Sequence, residues 1–83
     1  MAKKTHINVT VDFTRWGQPT YDLRIPLHQT VRALILNLAN TLNLERPNGS
    51  TCAIKAVNKG ILLSDDDKLT DHHIADGDVL QIL

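Results

Sequence analysis

Side chains able to do chemistry are sparse in this 83-residue chain. His72 and His73 stand next to each other. Neighbours in an extended segment point to opposite sides, so one zinc ion does not readily take both, and further ligands would be needed. The pair is read as solvated turn residues. Asp65-Asp66-Asp67 gathers negative charge. A calcium loop, however, places its acidic ligands at alternate positions around a central Gly and closes on Glu. None of that pattern follows, and the run is read as a solvated loop. Cys52 has no activating neighbour in sequence. On the inward side of a strand its thiol is a small apolar filler. No Ser-His-Asp grouping has a local signature, and no glycines form a phosphate-cradling loop. The expectation is an absence of catalytic residues, metal and cofactor.

The elements that would position such residues follow from hydrophobic period. Residues 6–13 alternate, with Ile7, Val9, Val11 and Phe13 on one side of a half-buried strand. Gly17 and Pro19 punctuate a turn. Residues 20–25 alternate again, with Tyr21, Leu23 and Ile25 inward, so a hairpin is expected. Pro26 ends it, since it has no N–H for a ladder. Thr30 is a suitable N-cap. Val31, Leu34, Ile35, Leu38 and Leu42 then mark one face of a helix of about four turns. Pro47-Asn48-Gly49-Ser50 breaks the chain. Residues 51–58 read as a third strand, with Cys52, Ile54 and Ala56 inward and Lys55 and Val57 outward. Lys59-Gly60 turns, and Ile61-Leu62-Leu63 is a short extended piece. Leu69 to Ile74 reads as one 3₁₀ turn with two apolar anchors. Asp76-Gly77-Asp78 turns into a final strand, Val79 to Leu83, apolar on both faces and therefore expected beside the first strand in the sheet centre.

A hairpin cannot hide its apolar face alone. The amphipathic helix supplies the cover, so the fold class is α+β: a ββαββ mixed sheet with one helix packed across it. One domain over 1–83 is expected, with 1–5 as a flexible lead. A chain this short buries roughly 60–65% of its unfolded surface, which leaves little room for a deep cleft. Nine basic and nine acidic residues balance, unlike the basic excess of a nucleic-acid binder. The single cysteine forms no internal disulfide. No apolar run approaches the ~20 residues of a membrane span, and the N-terminus lacks the apolar core of a signal peptide. The expected location is cytoplasmic.

The order of elements and the stretch "KGILLSDDDKLTDHHIADGDVLQIL" resemble the ubiquitin-like β-grasp fold, with Leu69, Asp71 and Ile74 as anchors. Within that superfamily, "VTVDFT" (9–14), "YDLRIP" (21–26), "VNKGILL" (57–63) and "LTDHHIADGDVLQIL" (69–83) are similar to the small ubiquitin-like proteins of bacterial type VII secretion, the YukD/EsaB family. Conjugating ubiquitin-like proteins react through a flexible Gly-Gly tail. Here glycines stand at 17, 49, 60 and 77, all in turns, and Leu83 closes the sequence as a strand residue. The resemblance thus implies a non-enzymatic interaction protein, an accessory or regulatory component of a type VII (Esx) system. Its partners would be cytosolic domains of the secretion machine's membrane components. A ubiquitin-like carrier in sulfur transfer or conjugation is the alternative, and the missing Gly-Gly speaks against it.

Two surfaces are candidates for docking. The ubiquitin patch lies on the sheet face away from the helix. Its counterpart here would hold Val57, Ile61 and Leu83, near Lys55, Lys59 and Trp16. Trp16 either folds back on the domain edge or stands out as an anchor. On the helix, Ala33, Leu36, Asn37 and Asn40 form an outer face nearly free of charge, either harmless or a second patch. An open sheet edge or the helix face could also support a homodimer.

Overall fold

A computed structural model describes residues 5–45 and 52–83. The elements are β1 (His6–Asp12), a 3₁₀ turn (Thr14–Trp16), β2 (Thr20–Pro26), α1 (Val31–Thr41), β3 (Ile54–Ala56), β4 (Ile61–Leu63), a second 3₁₀ turn (Leu69–His72) and β5 (Val79–Ile82). The five strands form one sheet in the order β2-β1-β5-β3-β4. β1 and β2 pair antiparallel, β5 runs parallel to β1, and β3 runs antiparallel to both β5 and β4. The last strand in sequence is therefore central, as its two apolar faces predict.

Alternation decides which side chains enter the core. Ile7, Val9 and Val11 of β1, Leu80 and Ile82 of β5, and Ile54 and Ala56 of β3 are all buried. Val31, Leu34, Ile35 and Ala39 of α1 complete the same core, with Phe13 beneath the first turn. Leu69, the first residue of the second 3₁₀ turn, and Ile74, two residues beyond its end, are buried, the two anchors expected there. Tyr21 and Leu23 are only half-buried, because β2 lies at the sheet margin.

α1 is shorter than its apolar stripe suggested. Thr30 caps it as expected, its hydroxyl accepting from the Ala33 N–H at 3.2 Å. The helix stops after 11 residues, about three turns. Asn43 takes a positive φ of 56°, and Leu44 N–H returns to the Ala39 carbonyl at 2.8 Å. Asn tolerates this left-handed conformation, which ends a helix as a glycine would. The break expected at Pro47–Ser50 lies outside the described residues, as do Thr51 and the first four residues of the expected flexible lead. Thr5 is described, and its carbonyl accepts from Leu27 N–H at 2.9 Å.

β3 is also shorter than residues 51–58. Gly60 N–H turns back to the Ala56 carbonyl at 2.9 Å and closes a tight turn. Gly60 sits at φ 66°, where a Cβ would be strained. The acidic loop is more than a solvated run. The carbonyls of Asp67 and Asp65 accept from the Val31 and Arg32 N–H groups at 2.8 and 3.0 Å. They satisfy helix donors that have no partner within the helix. Asp67 braces the loop by accepting from Ser64 N–H at 2.8 Å, and the Arg32 guanidinium donates to Asp65.

If β5 is the central strand, Leu80→Ala should lower unfolding free energy by about 3 kcal/mol, as for a fully buried leucine. Leu36→Ala should change it by less than about 0.5 kcal/mol. Urea titration of both variants checks this, and equal small losses would contradict the placement of β5.

Candidate interaction surface

The sheet face away from α1 is set by the same alternation. Residues directly opposite each other in paired strands share a face. Lys55 is opposite Leu62 on one side and Gln81 on the other. All three therefore point away from the helix. Val57 follows one step on, its N–H bonded to the Val79 carbonyl at 3.0 Å. Val57 is 47% exposed and Leu62 61% exposed, and both face solvent beside Lys55. Leu83 lies on this face too, half-buried, with its N–H donating to the Ala53 carbonyl at 3.1 Å.

Two residues expected in the patch are elsewhere. Ile61 is paired with Ala56, whose side chain is buried, so Ile61 points to the helix side and packs against the core. Its neighbour Leu62 takes the outward position. Sequence reasoning missed Leu62 because a three-residue apolar run has no visible alternation. Only the register with β3 decides which member faces out. Trp16 is the second correction. It is 9% exposed, with its ring 5.1 Å from Phe13. Its indole N–H donates to the Leu83 carbonyl at 3.3 Å. The tight 3₁₀ turn, ended by Gly17 at φ 73°, folds the indole onto the domain. Of the two readings for Trp16, the structure takes the inward one.

Lys59 lies at the rim of the face, but its ammonium is engaged within the fold. Asp78 is the buried carboxylate among the described residues, 6% exposed. It accepts from Lys59 Nζ at 2.7 Å and from Ala75 N–H at 2.9 Å. Burial alone would push the Asp78 carboxyl up. The hydrogen bonds from Lys59 and Ala75, with the charge of Lys59, outweigh it and hold the carboxyl below its ordinary value. The pair ties the β3–β4 turn to the approach to β5. No sequence signal marked Asp78, since "DGD" reads as an ordinary turn.

The helix surface is as expected in layout. Leu36 is 42% exposed, Asn37 and Asn40 are exposed, and Ala33 is half-buried. Beside β1 and β2 lies a shallow hollow of about 230 Å³, lined by Asn8, Val9, Asp22, Leu23, Arg24 and Gly77. It is smaller than the ~300–1,000 Å³ usual for small-molecule sites. His72 Nε2 approaches Asp67 at 3.6 Å. His73 takes a left-handed backbone at φ 54° and ends the second 3₁₀ turn. Among the described residues no cluster of three or more His, Cys, Asp or Glu is arranged to hold a metal ion. No helix among them is long and apolar enough to cross a membrane.

The family model described as "WXG100 protein secretion system (Wss), protein YukD" matches residues 6–82. The chain belongs to the YukD family. This family member is also similar to the type VII secretion system accessory factor EsaB of Staphylococcus aureus strains Newman and COL. Each is 40% identical over 78 residues, covering 94% of this chain and 96% of the relative. Among solved structures, the ubiquitin-like domain of an Arabidopsis thaliana protein superposes with a TM-score of 0.70 at 21% identity, over 100% of this chain and 81% of that one. A chain from a structure described as "Molecular Mimicry of SUMO promotes DNA repair" gives 0.72 at 17% identity, over 99% and 95%. Both likenesses concern the fold, and with the five-stranded sheet they make this YukD-family protein a ubiquitin-like β-grasp.

The Asp78–Lys59 pair predicts a pH dependence. Because the folded carboxyl lies below its unfolded value, its contribution is complete above the unfolded value and disappears as pH falls through the folded one. Lys59→Met removes the main compensation for burial. Stability at neutral pH should then drop by about 2 kcal/mol, and the decline below about pH 4 should flatten. Urea titrations from neutral to acid pH measure both. An unchanged acid slope would show that Asp78 does not depend on Lys59.

Proposed function

We propose that this protein is a non-enzymatic accessory component of a type VII secretion system that works by docking, with no covalent step. The observation that carries the reading is the outward pair Val57 and Leu62 on an open sheet face. Two large apolar side chains in water beside Lys55 and half-buried Leu83 make a small desolvatable centre with a polar rim. The accessory role comes from the similarity to the EsaB relatives. The partners in this reading are cytosolic domains of the secretion machine's membrane components, which makes the site of action cytoplasmic. Leu83, just past β5, is held through both its N–H, to the Ala53 carbonyl, and its carbonyl, to the Trp16 indole.

The helix face is the lesser candidate. Leu36 stands there without a second exposed large apolar neighbour among the described residues. The sheet patch has two, and buried apolar anchors at the centre of an interface carry most of its energy.

Val57→Asp and Leu62→Asp should each reduce capture of the secretion machine's cytosolic domains in a pull-down by roughly tenfold or more. Leu36→Asp should leave capture unchanged, and circular dichroism should show all three folded. Loss with Leu36→Asp alone would move the docking site to α1. An adenylate or thioester appearing by mass spectrometry, after incubation with ATP and an activating enzyme, would overturn the non-covalent reading.

A further inference from the structure

One long backbone edge is left open, and we infer that it pairs two copies of this chain. Among the described residues, β2 has a strand neighbour on one side only. The direction of its backbone groups follows from the bonds around it. Thr10 N–H donates away from β2, to the Asp78 carbonyl at 3.1 Å, and Leu27 N–H donates across the hairpin to Thr5 at 2.9 Å. Backbone groups alternate sides along a strand. With the register Ile7↔Ile25, Val9↔Leu23 and Val11↔Tyr21, those pairs exchange their bonds inside the hairpin. Thr20, Asp22 and Arg24 therefore hold their N–H and C=O groups to the open side. Pro26 falls in the same set, and its missing N–H leaves the β1–β2 ladder intact.

The edge is complementary to itself. In an antiparallel pair with its two-fold axis through Leu23, Asp22 lies opposite the partner subunit's Arg24, and Arg24 opposite the partner subunit's Asp22. Both residues then exchange their N–H and C=O groups with the facing residue. Their side chains are exposed and stand on one face, where opposite charges directly across a ladder attract. On the helix side, half-buried Leu23 meets its own copy. Slipping the strands by two residues sets Asp22 against Asp22 or Arg24 against Arg24. Slipping by one sets the open groups against residues whose backbone groups point inward.

Charges on an edge deter indiscriminate pairing. Opposite charges two residues apart deter the neighbouring registers as well. The other edge, β4, has three residues and offers far less backbone. An interface confined to β2 is small, so the association is reversible and rises with concentration.

Sedimentation of the whole chain over a wide concentration range should show a reversible dimer. Exchange of the Asp22 and Arg24 amide protons should slow as the dimer fills. Asp22→Arg and Arg24→Asp each place like charges opposite in both pairs, and each should weaken self-association roughly tenfold. Mixing the two variants should restore it, because every facing pair is again of opposite sign. The doubly swapped chain should also dimerise. Circular dichroism confirms that each is folded. A wild type that stays monomeric at every concentration overturns the inference, including a case in which the edge takes up an extended peptide instead. A dimer indifferent to the single substitutions, or not restored by mixing, assigns the contact to another surface and overturns it equally.

Discussion

The fold depends on β5 entering the sheet between β1 and β3. β1 and β2 make a hairpin, and β3 and β4 make a second small pair, but these two pairs do not touch except through β5. It lies in register with Thr10, Val11 and Asp12 on one side and with Ile54, Lys55 and Ala56 on the other, and so joins the first and last parts of the chain. Leu80 and Ile82 are then buried between the sheet and its helix cover. An inserted central strand has both backbone edges satisfied, so its neighbours are fixed in register as well.

That register assigns chemistry to surfaces. One face of every strand is consumed by the core, and α1 covers it. The other face inherits whatever the odd steps of the sequence supply. Near β1 and β2 these are polar and charged: Asn8, Thr10, Asp22 and Arg24. Near β3, β4 and β5 they are Lys55, Val57, Leu62 and Leu83. The face is thus divided between a charged half beside one margin and an apolar half beside the other. The proposed docking patch and the proposed self-complementary edge therefore fall on different halves and do not overlap.

Several charges that look available in the sequence are committed internally. Asp78 holds Lys59 and the Ala75 N–H, Asp65 holds Arg32, and Asp67 braces its own loop. The loop carbonyls of Asp65 and Asp67 cap the helix that the sheet needs as a lid. The acidic run is therefore structural, through its backbone more than its side chains. What remains outward on the β3–β4 side includes Lys55 and two large apolar side chains, Val57 and Leu62, and exposed apolar surface of this kind is a common feature of contact patches.

Much of the fold was legible in the residues. Strict alternation at Ile7, Val9, Val11 and Phe13, the helical spacing from Val31, and the cap at Thr30 are local patterns, each fixed by backbone period. The final strand's two apolar faces also foretold its central place. Leu62 and Ile61 could not be told apart, because a short apolar run has no period and only cross-strand pairing chooses its outward member. Trp16 was undecided for a related reason: the carbonyl that receives its indole N–H, that of Leu83, comes from the far end of the sequence. The same holds for Asp78, whose partner Lys59 is distant in sequence and near only through β5. The sequence by itself determined which elements form and, where the alternation is long enough to read, which side each presents, since those follow from bonds between neighbours. The tertiary structure alone decided which distant residues share a face, an edge or a buried charge, since that depends on register between strands.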